Sequence, residues 1–166
     1  MSRTRSIAVV ALSASLVMSA LPAVAAANPP AGSSQSHYAV LADHSGIQAA
    51  LLHETNAYRA SRGLAPLSSH HMLDNVAQSW SETMASQRHL RHNPSYVASY
   101  PSSWRKAAEN VGTFNQSVAA RDMLQAWLNS PSHRQNVENP DFTHVGVGWA
   151  TSSDGSVYAT QNFAAL

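Results

Sequence analysis

The chain has 166 residues, with ten Lys and Arg, nine Asp and Glu, nine His and no Cys. Without cysteine, a disulfide framework, a thiolate nucleophile and a Cys-ligated zinc site are all excluded. A formal charge of +1 leaves no basic footprint for nucleic acid or an anionic membrane, although the imidazoles would add positive charge as pH falls.

Arg3 and Arg5 precede an apolar run from Ile7 to Leu21, and Ala23-Val24-Ala25 and Ala25-Ala26-Ala27 offer small-residue cleavage sites. That order reads as a secretory signal peptide over residues 1–27, its apolar run too short to cross a bilayer comfortably. Its removal leaves eight basic residues against nine acidic, a net charge of −1. The remaining length of about 140 residues is enough for one sizeable core. Pro29, Pro30, Gly32 and several Ser mark residues 28–44 as a flexible linker, so the folded domain is expected over 45–166. Leu166 follows the last predicted strand almost at once, and no stable membrane anchor is expected; the protein should be secreted and free.

A first helix is predicted from Ser45, as its N-cap, to Gly63, with Ile47, Ala50, Leu51, Ala57 and Tyr58 near one stripe. Leu64 to Leu67 is a turn. A second helix over about Ser69 to Gln87 buries Leu73, Val76, Ala77, Trp80 and Met84. Asn93-Pro94 and Tyr100-Pro101 punctuate a loop, and Lys106 to Val111 reads as a short helical piece. Ser117 is the expected N-cap of a helix whose Ala120, Met123, Leu124, Trp127 and Leu128 keep helical spacing until Pro131 stops it. Val145, Val147 and Trp149 alternate with Gly146 and Gly148, giving a strand with one bulky face and one bare face that another layer could approach. Asp154-Gly155 is a hairpin signal, and Val157 to Ala164 the returning strand. The expected class is α+β, a small antiparallel sheet flanked by helices.

Asn56, Arg59, Leu64, Pro66-Leu67, Leu73, Ala77, Trp80 and Met84 resemble the opening helices of the CAP superfamily of cysteine-rich secretory, venom allergen and pathogenesis-related proteins. His92, Glu109-Asn110-Val111, Trp127, Ser130-Pro131-Ser132-His133-Arg134, Asn136, Phe142, Val145 to Gly148 and Tyr158 to Phe163 continue the likeness, which covers about Ser45 to Leu166 and is nearest the cysteine-free bacterial branch. The resemblance implies an α-β-α sandwich whose central cleft holds two His and two acidic residues, the His pair able to take a divalent ion such as Zn²⁺. Carried over, the histidines fall on His92 and His133 and one acid on Glu109. The other acid should fall near Asn129-Ser130, where this chain has no carboxylate.

Two neutral imidazoles and a carboxylate suit Zn²⁺ with a position left for water, the donor set of a hydrolytic site. The same three side chains could instead form a hydrogen-bonded cleft without metal. Glu109 is open to two roles, general base if burial raises its pKa or acceptor that fixes a His tautomer, and the second is preferred. Asn110 is expected to bond backbone in a buried turn, Trp127 to pack in the core, and Arg134 to bond nearby carbonyls or a carboxylate. His53-Glu54-Thr55-Asn56-Ala57 begins like H-E-x-x-H, but Ala57 stands in place of the second ligand. His70, His71 and His89 are assigned to helix ends and surface.

Two functions are kept open. The preferred one is a non-catalytic extracellular binding module for a lipid, an envelope glycan or a protein. The alternative is a metal-assisted hydrolase of peptide, ester or wall polymer, with His92 and His133 holding the ion and Glu109 as base. A third idea is a pH gate, in which protonation of the cleft imidazoles below about pH 6 releases metal and controls ligand binding.

Overall fold

The computed structural model describes the backbone from Ser34 to Leu166 and the side chains from Ser45 onward. The signal peptide expected over residues 1–27, and the linker up to residue 33, lie outside the described residues. Helix α1 runs Ser34–Ser61, so it starts well before the predicted cap at Ser45, and residues 34–44, expected in the linker, are helical. The breakers Pro29, Pro30 and Gly32 all precede Ser34, and no proline or glycine interrupts the chain again before Gly46. Gly46 itself sits inside the helix with nothing near its Cβ position. The helix ends in a Schellman motif. Gly63 takes φ +71°, its N–H bonds Ala60 O at 3.0 Å, and the Leu64 N–H bonds Arg59 O at 3.0 Å.

Strand β1 (Ser68–Ser69) leads into α2 (His71–Gln87). His70 is the N-cap of α2, its side chain accepting from Met72 N–H at 3.3 Å. A 3₁₀ turn over Tyr96–Ser99 precedes β2 (Lys106–Phe114). The helical piece expected at Lys106 to Val111 is therefore a strand. Lys, Ala and Glu are good helix formers, but propensity is worth only fractions of a kcal/mol per residue, and pairing of all nine β2 residues with β4 overrides it. Helix α3 (Ala120–Asn129) is capped at Ala119 instead of the expected Ser117, with Asp122 accepting the Ala119 N–H at 3.2 Å. Pro131 does end α3, but it also occupies the first turn of a further helix, α4 (Pro131–Val137), where a missing N–H costs nothing. Strands β3 (His144–Thr151) and β4 (Val157–Ala165) form the predicted hairpin about Gly155.

The sheet order is β1-β3-β4-β2, antiparallel except for the two-residue β1 beside β3. Residues paired across strands share a face, so Gly146, Asn162 and Glu109 look one way and Val147, Gln161 and Asn110 the other. Helix α2 covers the first face. A Cβ at Gly146 would stand 2.0 Å from the Leu73 carbonyl carbon, and one at Gly148 2.1 Å from Ala77 O. The bare face read from the glycines is thus the seat of α2. Helices α1, α3 and α4 cover the second face, where Leu51, Met123, Trp127, Val137, Val145, Val147 and Phe163 form the main core. This is the α-β-α sandwich that the resemblance implied.

Candidate functional site

Two segments bring the site together from opposite sides of the sheet. On the α2 side, the chain leaves the helix through Arg88, in the left-handed region at φ 49°. Trp80 Nε1 donates to Arg91 O at 2.9 Å, and the Arg91 guanidinium lies 4.9 Å from the Trp80 ring centroid. The next two residues both reach Glu109. His92 Nδ1 and the Asn93 N–H each lie 2.9 Å from Glu109 Oε1. With the carboxylate ionised, His92 donates through Nδ1 and keeps the lone pair of Nε2 for another partner.

Glu109 stands in the middle of β2 with its side chain 2% exposed, against 62% for His92. Its cross-strand partner Asn162, oriented to satisfy both ends of its amide, donates to Oε2 at 3.2 Å and accepts from Ala77 N–H at 3.3 Å. Burial pushes the Glu109 pKa above its ordinary value, while the Asn93 N–H and His92 oppose the rise. Three donors therefore converge on one buried carboxylate.

On the other side, His133 sits in the first turns of α4 and is fixed through its backbone. Asn110 Nδ2 donates to His133 O at 3.1 Å, and Asn136 Nδ2 donates to Asn110 Oδ1 at 2.9 Å. Gln161 lies within 3.4 Å of Asn110 and donates to Thr55 Oγ1 at 2.9 Å, carrying the network to α1. Asn110, expected in a buried turn, lies on strand β2 and bonds the His133 backbone from there. The His92 and His133 rings approach to 6.4 Å between centroids, tilted by 45°. Because β2 is the edge strand, the two imidazoles meet around its open side. Burial, and secondarily the His92 charge, lower the His133 pKa, which keeps this ring neutral at neutral pH.

His92, Glu109 and His133 are thus brought together, but not as three ligands. Among the described residues no group of three His, Asp or Glu is placed to hold a metal ion, and both Glu109 oxygens are already engaged. The donor set that remains fits two-point attachment through the imidazoles, with Glu109 orienting His92 from behind. Among the described residues no carboxylate replaces the missing acid: Asn129 bonds Gln125, and Ser130 lies beside Ser132.

Trp127 is 2% exposed and donates through Nε1 to Val111 O at 3.0 Å, so it packs the core and also covers the edge strand. Arg134, expected to bond carbonyls or a carboxylate, is exposed and has no hydrogen bond or ion pair from its side chain among the described residues. The arginine that does this is Arg59, fully buried, with Nε to Ala65 O at 2.8 Å and Nη1 to Val137 O at 2.7 Å and Asn139 O at 3.0 Å. Its signal was position: Leu51, Thr55 and Arg59 recur every four residues on the buried stripe of α1.

The sequence profile of the cysteine-rich secretory protein family, CAP, matches residues 52–163. A curated relative, the uncharacterised protein YkwD of Bacillus subtilis (strain 168), is 34% identical over 114 residues, 64% of this chain and 43% of that protein. The match thus spans less than half the length of that relative. Among solved structures, an extracellular SCP-domain protein of Bacillus anthracis aligns with TM-score 0.62 at 24% identity, over 84% of this chain and 45% of that one. An outer surface protein of Borrelia burgdorferi gives 0.61 at 22% identity, over 69% and 88%. At these identities the structural likeness carries the fold.

Proposed function

The chain belongs to the cysteine-rich secretory protein (CAP) family, and from that premise we propose that it is a secreted, extracellular binding module and not a hydrolase. The observation that carries this reading is that Glu109 is buried, with neighbours already bonded to both of its oxygens. A general base must reach the proton it removes. Glu109 is 2% exposed, and its oxygens already take His92, Asn93 N–H and Asn162. The absence of an acid at Asn129 and Ser130 removes the other carboxylate that the family cleft would offer.

His92 and His133 are the residues that would hold a divalent ion such as Zn²⁺. When bound, the ion would offer a Lewis-acidic attachment point for a ligand. Glu109 fixes the His92 tautomer so that Nε2 faces outward, and burial keeps His133 neutral. Two donors make such an ion exchangeable, in keeping with a ligand-assisting role.

Hydrolysis assays on peptide, ester and wall-polymer substrates, with and without Zn²⁺, test the proposal. No turnover is expected. Turnover that disappears in a folded Glu109→Gln variant would instead establish the metal-assisted hydrolase, with Glu109 as base.

A further inference from the structure

Beside the His92 loop, the outer side of α2 and the 3₁₀ turn enclose an open groove of about 440 Å³, within the usual size of small-ligand clefts. Val76, Trp80 and Ala98 supply apolar surface, and Asn75, Ser79 and Ser99 supply polar groups. None of the lining residues is charged. The side chains of Asn75, Ser79 and Ser99 have no hydrogen-bond partner among the described residues, so the groove offers unspent donors and acceptors. Trp80 is held in place, its N–H donated to Arg91 O and the Arg91 guanidinium packed against the ring.

This lining discriminates between ligand chemistries. An acyl chain laid here would strip water from hydroxyls and an amide without replacing their bonds. A cationic ligand would lose its hydration and meet no counter-charge in the lining, and an anionic one would find only Arg91, already packed on the Trp80 ring. A neutral polyol satisfies both demands, with hydroxyls for the serines and asparagine and an apolar C–H face for the indole. We propose that this groove binds a neutral oligosaccharide.

The inference rests on the binding-module reading and names its ligand class. Asn93 joins the two places, because it lines the groove and its N–H holds Glu109 Oε1 at 2.9 Å. A sugar touching Asn93 is therefore sensed at His92.

Nuclear magnetic resonance titration of the ¹⁵N-labelled protein with uncharged tetrasaccharides, a β-1,4-linked N-acetylglucosamine tetramer and maltotetraose, tests the proposal. Saturable shifts from at least one sugar, centred on the α2 and 3₁₀ residues of the groove with a smaller response at His92, are expected. Asn75→Lys, which extends a long side chain from an exposed α2 position, should weaken binding at least tenfold while the melting temperature holds. No groove shifts from either sugar at millimolar concentration would overturn the assignment, as would equal affinity in Asn75→Lys. Palmitate shifting the same amides in place of the sugars would overturn the neutral-glycan assignment yet leave a binding module. Release of shorter sugars would end the non-catalytic reading while the groove still stands as the glycan site.

Discussion

At the scale of single residues, the decisive group is Glu109, which organises the site without facing it. A carboxylate that receives His92 Nδ1 and the adjacent Asn93 N–H fixes both the ring and the loop carrying it. Isothermal calorimetry with Zn²⁺ should find binding that drops at least tenfold, about 1.4 kcal/mol, in the His92→Ala, His133→Ala double variant; equal affinity there would exclude the imidazole pair as the site. Glu109→Gln should weaken the ion by about 10-fold or more through lost orientation of His92. The two arginines make a second contrast. Arg59→Leu leaves the buried Val137 carbonyl and the part-buried carbonyls of Ala65 and Asn139 without their donor, a loss of about 3 kcal/mol. Arg134→Ala, at an exposed side chain with no hydrogen bond or ion pair among the described residues, should stay within about 0.5 kcal/mol. Chemical denaturation of the two variants measures both. Nothing in a helical stripe distinguishes these arginines except register, since Arg59 falls in line with Leu51 and Thr55.

At the scale of elements, side chains close both open borders of the sheet. On β2, Trp127 Nε1 takes Val111 O and Asn136 Nδ2 lies 3.4 Å from Glu109 O. On β3, Asp74 accepts the Val147 N–H at 2.9 Å, and Gln78 accepts the Trp149 N–H at 3.0 Å while donating to Trp149 O at 3.1 Å. Unpaired strand edges recruit other chains, and these bonds occupy them. The seat of α2 depends on the absence of a side chain at Gly148, where a Cβ would meet Ala77 O at 2.1 Å, backbone that cannot swing aside. Gly148→Ala should cost about 3 kcal/mol or more. Gly155→Ala provides the comparison, since it meets no neighbour but needs φ +86°, and should cost about 1–2 kcal/mol. Thermal unfolding of the pair separates steric from conformational cost. The glycine alternation was readable in the sequence because a strand's two faces follow from period two. Strand β2 was not, since Lys106 to Asn110 has helix-compatible residues and becomes a strand only by lying beside β4. Helix α4 was missed because a proline that ends one helix can equally begin the next.

At the scale of the whole molecule, the titrating groups predict how stability follows pH. Burial lowers the folded-state pKa of His133 and of His144, each with a neighbouring histidine adding to the effect. A histidine with a depressed folded pKa binds its proton more readily in the unfolded chain, so stability falls as pH drops below about 6.5 and levels off once the folded rings titrate. Glu109 acts in the opposite sense, because its raised pKa means that its protonation on acidification favours the folded state. Melting temperature should therefore decline between pH 7 and the titration of the folded histidines, and His133→Gln should flatten part of that decline. An unchanged slope in the variant would remove His133 as a cause. The sequence by itself determined the family and the layered α+β class, and it pointed to His92, Glu109 and His133, because helical and strand periods and short clusters are local properties of a chain. Only the tertiary structure decided that Glu109 is spent on its neighbours and that Arg59, not Arg134, is the buried cation. It also decided that His92 and His133 meet around the edge of β2. Those outcomes rest on contacts between residues as far apart as 17 positions for His92 with Glu109 and 78 for Arg59 with Val137. Packing chooses such partners; the local stripe places Arg59 on the buried side of α1 but does not name the carbonyls it meets.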